Sequence, residues 1–504
     1  MSTKLVSKKL IHYLRMKARK FLGVALLLAG LAGLMPLQAQ QLIKLDDALQ
    51  IAAQNSPDIK RVQLSLTRTQ ELLKATQASL KSNFRFTLNP IGYSHDRAFN
   101  ELIGDYNTQE NLNSSGTFTV SQQLPWTDGS ISINNRFAWQ RAYSEYANRT
   151  TSQFTNNLRV QYDQPLFTYN RIKLQLAGLE LDFENSQLNY NLQMLNLERS
   201  VAQQFYAVFN QTMRLQIAEE EYENQKFNYD IIKNKVEGEL SRLEELFQAE
   251  LNLASSKSSW ENSKVSLENA KDQFKILIGM DLFNEIDVLA NPIVDTVPVN
   301  LDLAIQYALD NRMELRQRQI SIENAEFDLI RTMATNEFAG NLSLAVGLFG
   351  DNQQLSQIYS NPTDNEQVSL TLQIPIFDWG ERKARIKASQ TSIETQKLNY
   401  QDQRNTIIQT VRQVYRSLQN LLNQIDIAEQ NVRNAQLTYD INLERYKNGD
   451  LTGMDLSLYQ NQLSSKKLDL VNAQINYKLE LMNMKIQTLY DWETKTSLVP
   501  KSSK

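Results

Sequence analysis

The stretch QIPIFDWGERK (373–383) decides how this chain is read. On its amino-terminal side VSLTLQI (368–374) alternates polar and apolar residues with the period of a strand. On its carboxy-terminal side ERKARIKASQTSIETQKLNY (381–400) has the make-up of a polar helix. Pro375, Phe377 and Trp379 mark the change. The same switch occurs at DQPLFTYNRIK (163–173), where Pro165 and Phe167 precede Pro375 and Phe377 by 210 positions. A chain that turns strand into long helix twice, at matching points, reads as an internal repeat.

The repeat extends in both directions. LDDALQIAAQNSPDIKRVQ (45–63) aligns with LDLAIQYALDNRMELRQRQ (301–319) at an offset of 256, and later matches, such as 188–190 with 398–400 (LNY), hold at 210. The first copy therefore carries about 46 extra residues in its strand-rich part. The domain reading follows: a targeting segment over 1–39, a first repeat over 40–283, a linker over 284–300, a second repeat over 301–490 and a tail over 491–504. Each repeat has one order: a helix (45–81, then 301–336), strands, a very long helix, a short break and a shorter helix.

Composition narrows the function classes. The 504 residues include no cysteine and two histidines, so disulfides, thiolate sites and a histidine triad are excluded or improbable. No phosphate loop, metal-ligand spacing or catalytic constellation is present, and no cofactor is expected. Lys4, Lys8, Lys9, Arg15, Lys17, Arg19 and Lys20 precede the apolar FLGVALLLAGLAGLMPL (21–37), and Ala39 suits cleavage, as in a signal peptide. Its removal leaves 46 basic against 56 acidic residues. A net acidic exported chain argues against nucleic acid as a partner.

From Arg171 to Val236 there is no proline and one glycine, and Val201, Phe205, Val208, Thr212, Leu215, Glu219 and Tyr222 keep a 4,3 spacing. Arg382 to Lys447 repeats this with Val411, Tyr415, Leu418, Leu422 and Ile425. About 66 residues of helix run roughly 100 Å and need partners alongside. Breaks at 234–246 and 445–456 carry Gly238 and Gly449, which suits helix–turn–helix hairpins whose return helices lie near 241–279 and 452–490. NLSLAVGLFG (341–350), VSLTLQIPI (368–376), SISINNRFAWQRAY (130–143) and NLRVQYDQ (157–164) alternate with a period of two. Strands of about ten residues with one apolar face are the transmembrane-barrel pattern. NFRFTLNPIG (83–92) and TFTVSQQLPWTDG (117–129) also alternate, so the first half has up to four strands. We expect 130–143 and 153–165 to join a barrel and the earlier pair to form an extra hairpin at its rim or in a long loop, with six strands per chain as the open alternative.

Together these parts resemble the TolC-type outer-membrane efflux proteins (outer membrane factors) over about 45–490. The resemblance rests on the paired repeats, the opening at 45–59, the QPLF and IPIFDWGERK junctions and the glycine-bearing tips. It implies a homotrimer in the outer membrane of a Gram-negative bacterium: four strands per chain in a 12-stranded barrel, continuous with a helical coiled-coil tunnel across the periplasm. It also implies a periplasmic adaptor and an inner-membrane pump or exporter as partners. Pro165, Phe167, Pro375, Phe377 and Trp379, with Tyr169 and Trp139, would sit where strands leave the lipid.

The family's aperture acid falls on Asp455, six positions after Gly449. This chain departs from the family pattern at Leu458, where a second acidic ring stands in the family, and at Leu451, where a basic latch stands. Glu244, beside Glu245, matches the acidic latch partner. An apolar narrowing at Leu458 would replace the second ring. Adaptor contact is expected over 236–243 and 448–454, at Gly238, Leu240, Ser241, Gly449, Asp450 and Thr452. The function so implied is a passive exit duct for efflux or type I secretion. Two other readings stay open: a soluble periplasmic coiled-coil structural or adaptor protein, and an exported hydrolase using paired carboxylates.

Overall fold

The computed structural model describes residues 41–101, 104–290 and 294–498. The expected signal peptide, the central part of the linker (291–293) and the last tail residues (499–504) lie outside them. The chain divides into two compact units, one built from 41–56, 200–290 and 428–472, the other from 57–199, 294–427 and 473–498. Each unit takes segments from both halves of the sequence. The element order is β1 (Gln41–Ile43), α1 (Leu45–Asn55), α2 (Pro57–Ser79), β2 (Asn83–Asn100), β3 (Asp105–Leu124), β4 (Gly129–Ser144), β5 (Arg149–Leu166), α3 (Arg171–Glu237), α4 (Leu243–Ile278) and β6 (Ile286–Val288). It continues with α5 (Leu301–Asn311), α6 (Met313–Met333), β7 (Ala339–Asn352), β8 (Thr363–Gln373), α7 (Glu381–Lys447), α8 (Gly453–Thr488), β9 (Tyr490–Asp491) and β10 (Thr496–Ser497).

The second unit holds one antiparallel sheet in the order β2-β3-β4-β5-β7-β8. Period-two alternation puts the large apolar residues of the strands on one face, Phe349 excepted, because the register keeps the rows in step. Phe84 is level with Val120, Ile133, Val160 and Val346 in successive strands. The adjacent row, Arg85, Thr119, Asn134, Arg159, Gly347 and Asn365, is polar or small and points the other way. The apolar face is largely uncovered: Val346 is 58% exposed and Val368 75%. Where β5 interrupts its apolar row with Asn156, the β7–β8 connection folds back and the amide of Asn156 donates to the Tyr359 hydroxyl.

This sheet corrects the strand expectation. The chain holds six strands in one sheet, not four, and 83–92 and 117–129 belong to β2 and β3 of that sheet rather than to a separate hairpin. The period of β3 is diluted by Ser114 and Gly116 on its apolar row, so the segment is weak alone. It is fixed by its neighbour, pairing with β4 from Gln109↔Ser144 to Leu124↔Gly129.

Helices of this unit are joined by half-buried polar contacts. The guanidinium of Arg316 on α6 donates to both carboxylate oxygens of Glu184 on α3 (2.6 and 2.8 Å) and to Glu323 (2.7 Å). Those hydrogen bonds hold Glu184 below its ordinary carboxylate pKa. The expected single helices over 45–81 and 301–336 are each two. Pro57 opens α2 after Ser56 leaves helical geometry, and Arg312 breaks α5 from α6 at φ −67°, ψ 119°. Arg312 is held there by its side-chain bonds to Glu314 and Gln487.

In the other unit β1 pairs parallel with β6, a strand inside the linker, and α1, whose Ala48 and Ala52 are fully buried, packs on α4. Gly279 ends α4 at φ 73°, and a Cβ there would lie 2.4 Å from the Asn55 carbonyl oxygen. Only glycine meets both demands. Lys271 on α4 reaches Asp287 on β6 at 2.9 Å. α3 packs on α4 through stacked Tyr222 and Trp260, and through Phe205 and Phe274. It packs on α8 through Gln225 to Ser457 (3.0 Å) and Glu220 to Lys467 (3.2 Å). On α7 the buried residues Ala428, Ala435, Asn442 and Tyr446 keep the 3,4 spacing that Ile407, Val411, Val414, Leu418 and Ile425 begin.

The start of α3 is tied to the sheet by a residue the sequence reading did not single out. Asp128, in the β3–β4 turn at φ 64°, accepts from the backbone N–H of Ile172 (3.1 Å) and from Arg171 Nε (2.8 Å). Its side chain is 4% exposed, so the carboxylate has little access to water. We expect Asp128→Ala to lower stability by about 2 kcal/mol, since a charged hydrogen-bond acceptor at a helix start is lost. The check is the apparent melting temperature of the detergent-solubilised protein, with Asp128→Asn retaining part of the effect.

Candidate functional site

The residues singled out from sequence fall into two groups. One surrounds the α3–α4 and α7–α8 turns. The other lies where β5 and β8 give way to α3 and α7.

Both turns end a 67-residue helix with the same hydrogen-bond pattern. At the second, Gly449 N–H donates to Tyr446 O (3.1 Å) and Asp450 N–H to Arg445 O (2.9 Å), with Gly449 at φ 88°. At the first, Glu239 N–H donates to Val236 O (3.0 Å) and Leu240 N–H to Lys235 O (2.7 Å), with Glu239 at φ 58°. These are Schellman caps. The left-handed position of the first turn is therefore Glu239, not Gly238, whose N–H still makes the last helical bond to Asn234 O. The 210 offset maps Gly449 onto Glu239, a signal the nearby glycine obscured.

The two turns share an open pocket of about 460 Å³. It brings together the expected Leu240, Ser241, Gly449, Asp450, Leu451, Thr452 and Asp455 with Lys235, Arg242, Glu245 and Tyr446. Gly238, Glu244 and Leu458 do not line it. Glu244 pairs with Arg242 at 3.2 Å on the surface, and Leu458 is 64% exposed. Asp455 is half-buried and caps α8: its N–H donates to Thr452 Oγ1 (3.2 Å) while the Thr452 hydroxyl donates to its carboxylate (2.7 Å). At the corresponding place in the first turn the Ser241 hydroxyl donates to Glu245.

Tyr446 anchors the pocket floor and was not singled out. It is 5% exposed, its hydroxyl donates to Asn228 Oδ1, and Lys235 Nζ stands 5.3 Å from its ring centre. Burial, and then the negative charge of Glu245, push its phenol pKa up. Leu240 (82% exposed), Leu243 (56%) and Met454 (68%) leave the turns with an uncovered apolar rim.

At the strand ends, Pro165 still faces Asn341 in the ladder, and Phe167, at φ 61°, packs on Phe338 with ring centres 5.1 Å apart. Pro375 follows the end of β8, and Phe377 and Trp379 meet edge to face at 4.7 Å while both stay exposed. Asp378 caps α7, accepting from Gly380 N–H and Arg382 N–H, both at 3.0 Å. These bonds, that from Arg382 first, hold its pKa below the ordinary carboxylate value. Arg382 also donates to Met333 O at 2.9 Å, joining α7 to the end of α6. Among the described residues no group of three or more His, Cys, Asp or Glu is arranged to hold a metal ion, and no helix is long and apolar enough to cross a membrane.

Comparison with known proteins adds the following. Residues 304–484 match the family model described as Outer membrane efflux protein. The Cation efflux system protein CusC of Escherichia coli (strain K12) is 20% identical over 453 residues, which cover 82% of this chain and 96% of that protein. Among solved structures, the CmeC outer membrane channel of Campylobacter jejuni superposes with a TM-score of 0.67 at 16% identity, covering 91% of this chain and 87% of CmeC. The open-state MtrE outer membrane channel of Neisseria gonorrhoeae gives 0.61 at 14% identity, covering 90% and 91%. At these identities the likeness to the solved structures is one of fold.

The two caps differ in a way that can be measured. Glu239→Gly removes a side chain from a left-handed position and is expected to stabilise the first turn by about 1 kcal/mol. Gly449→Ala, in open space but at positive φ, should destabilise the second by a similar amount. Amide hydrogen exchange across 234–246 and 445–456 reads both; equal protection in all three proteins would contradict the cap assignment.

Proposed function

We propose that this chain, a member of the outer membrane efflux protein family, is the outer-membrane exit duct of a tripartite efflux or type I secretion system. It acts as a homotrimer in a Gram-negative outer membrane and extends into the periplasm. A periplasmic adaptor and an inner-membrane pump or exporter complete the path. The observation that carries this reading is the six-stranded antiparallel sheet with one uncovered apolar face, in the same chain as two 67-residue helices. Lipid is the solvent that tolerates such a face, and a closed ring of strands is the way a sheet lies in lipid.

Transport through the duct is passive. The chain supplies a path, and the inner-membrane partner supplies energy. Gating is assigned to the two helix turns. Asp455 is the acid nearest to the family's aperture position, and its copies from three chains would form a cation-attracting ring. With Leu451 and Leu458 in place of polar latch and ring residues, closure relies more on apolar contact than on ion pairs. The uncovered Leu240, Leu243 and Met454 suit the adaptor surface, where apolar residues at a turn are covered by a partner.

The test combines fractionation with single-channel recording. The protein should stay with outer membranes after salt washing and need detergent for extraction; release without detergent would instead favour a soluble periplasmic coiled-coil protein. In planar bilayers it should conduct poorly until the turns are loosened. Asp455→Ala is expected to weaken block by divalent cations severalfold. Because Asp455 also caps α8, Thr452→Ala is the control: it disturbs the cap and leaves the acid, so unaltered cation block in Asp455→Ala, or the same loss in Thr452→Ala, would remove the gating role.

A further inference from the structure

Two edges of the six-stranded sheet are left unpaired by the chain's own strands: β2 on one side and β8 on the other. The β2–β3 hairpin that ends the sheet has the same two faces as the rest. Phe84 (68% exposed), Phe86 (66%), Leu88 (62%) and Ile91 (75%) lie on the apolar face, while Arg85 and Thr87 share the polar face with Asn134 and Arg159. A hairpin projecting into water gains nothing from sorting large apolar residues onto one face. A hairpin in a lipid wall requires it.

The strand ends also climb across the sheet. Followed straight across the ladders, Asn83 at the start of β2 is level with Ser121, Ser132, Gln161, Ala345 and Gln367. Yet β8 runs six residues further, to Gln373. Six residues at about 3.3 Å over five spacings of about 4.8 Å is a tilt of about 40°. Sheets close into barrels at tilts of about 35–45°. The hairpin therefore continues the same inclined wall as β4–β8.

We infer that β2 is a seam strand: its free edge pairs antiparallel with β8 of a second copy of this chain, so that all six strands of each copy stand in the membrane. This rests on the outer-membrane homotrimer reading above. Three copies then close eighteen strands, and since diameter grows roughly linearly with strand number the bore is about half as wide again as twelve strands enclose. The helix turns, not the barrel, then set the upper size of the cargo.

The chain has no cysteine, so introduced thiols report alone. In outer-membrane preparations of the full chain, Thr87→Cys is combined in turn with Gln367→Cys, Ser369→Cys and Thr371→Cys. A parallel series combines Asn134→Cys on β4 with the same three. Mild oxidation should give dimer and trimer ladders in the Thr87 series, strongest with Gln367 or Ser369, and none in the Asn134 series. Ladders through Asn134, or in neither series, would overturn the seam while leaving the duct intact. Recovery of the chain without detergent would overturn the membrane reading and the seam with it. As a second readout, a bimane on Phe86→Cys should be quenched by a lipid-dissolved quencher within twofold of one on Phe137→Cys. Quenching at Phe86→Cys only by a water-soluble agent would place the hairpin outside the membrane and sink the inference.

Discussion

The arrangement depends on one demand of the peptide group. In hydrocarbon an unpaired N–H or C=O has no water to turn to, so every strand of a lipid-exposed sheet must find a neighbour on both sides. Within the chain that demand is met by joining strands far apart in sequence: β5 pairs with β7 from Phe154↔Asn352 to Leu166↔Gly340. The register then fixes the faces, because a slip of one residue between β5 and β7 would put Val346 and its row on the face opposite to Val160. Helix placement follows from the strand ends. α3 begins where Asp128 and Asn170 hold its first N–H groups, and α7 begins where Asp378 does.

The helices obey a second demand, which is lateral. An isolated helix is held by its own hydrogen bonds only weakly, and sequences as polar as α3 and α7 are stabilised by neighbours. The neighbours are visible in the polar pairs that sit among the apolar ones. Asn228 with Tyr446 is a buried side-chain hydrogen bond between helices, and Gln225 with Ser457 a half-buried one. Such pairs contribute modestly to stability but penalise a shift of one helix along another, which would leave each group unsatisfied. They fix alignment where heptad spacing alone would permit sliding by a turn.

How far the sequence foretold this differs by feature, for physical reasons. The strand-to-helix switches at Pro165 and Pro375 were legible because the hydrophobic period itself changes there. The long helices were legible from the lack of proline. The strand number was not, because β3 is made a sheet member by pairing with β4 rather than by its own pattern. Gly238 misled because glycine is the usual left-handed residue, and here Glu239 takes that geometry under the grip of its two cap bonds. The Thr452–Asp455 spacing matches a capping box and was readable as such; a functional reading drew notice away from the helix end. Asp128 could be placed in a turn from its Asp-Gly pair, but its partners Arg171 and Ile172 lie more than forty positions away and only the fold brings them near.

The β5–β7 ladder also has a consequence for the order in which the protein is built. β2 to β5 form a meander of sequence neighbours, whereas the 172 residues 167–338 separate β5 from β7. Loop closure on that scale is slow beside hairpin formation. During synthesis and export the first four strands can therefore pair while the outer edge of β5 waits for its partner. An exposed edge with Leu158 and Val160 on one face is a template for pairing with a wrong chain. The interval before β7 arrives is the window in which this protein most needs a chaperone, and the length of α3 and α4 sets how long that window stays open.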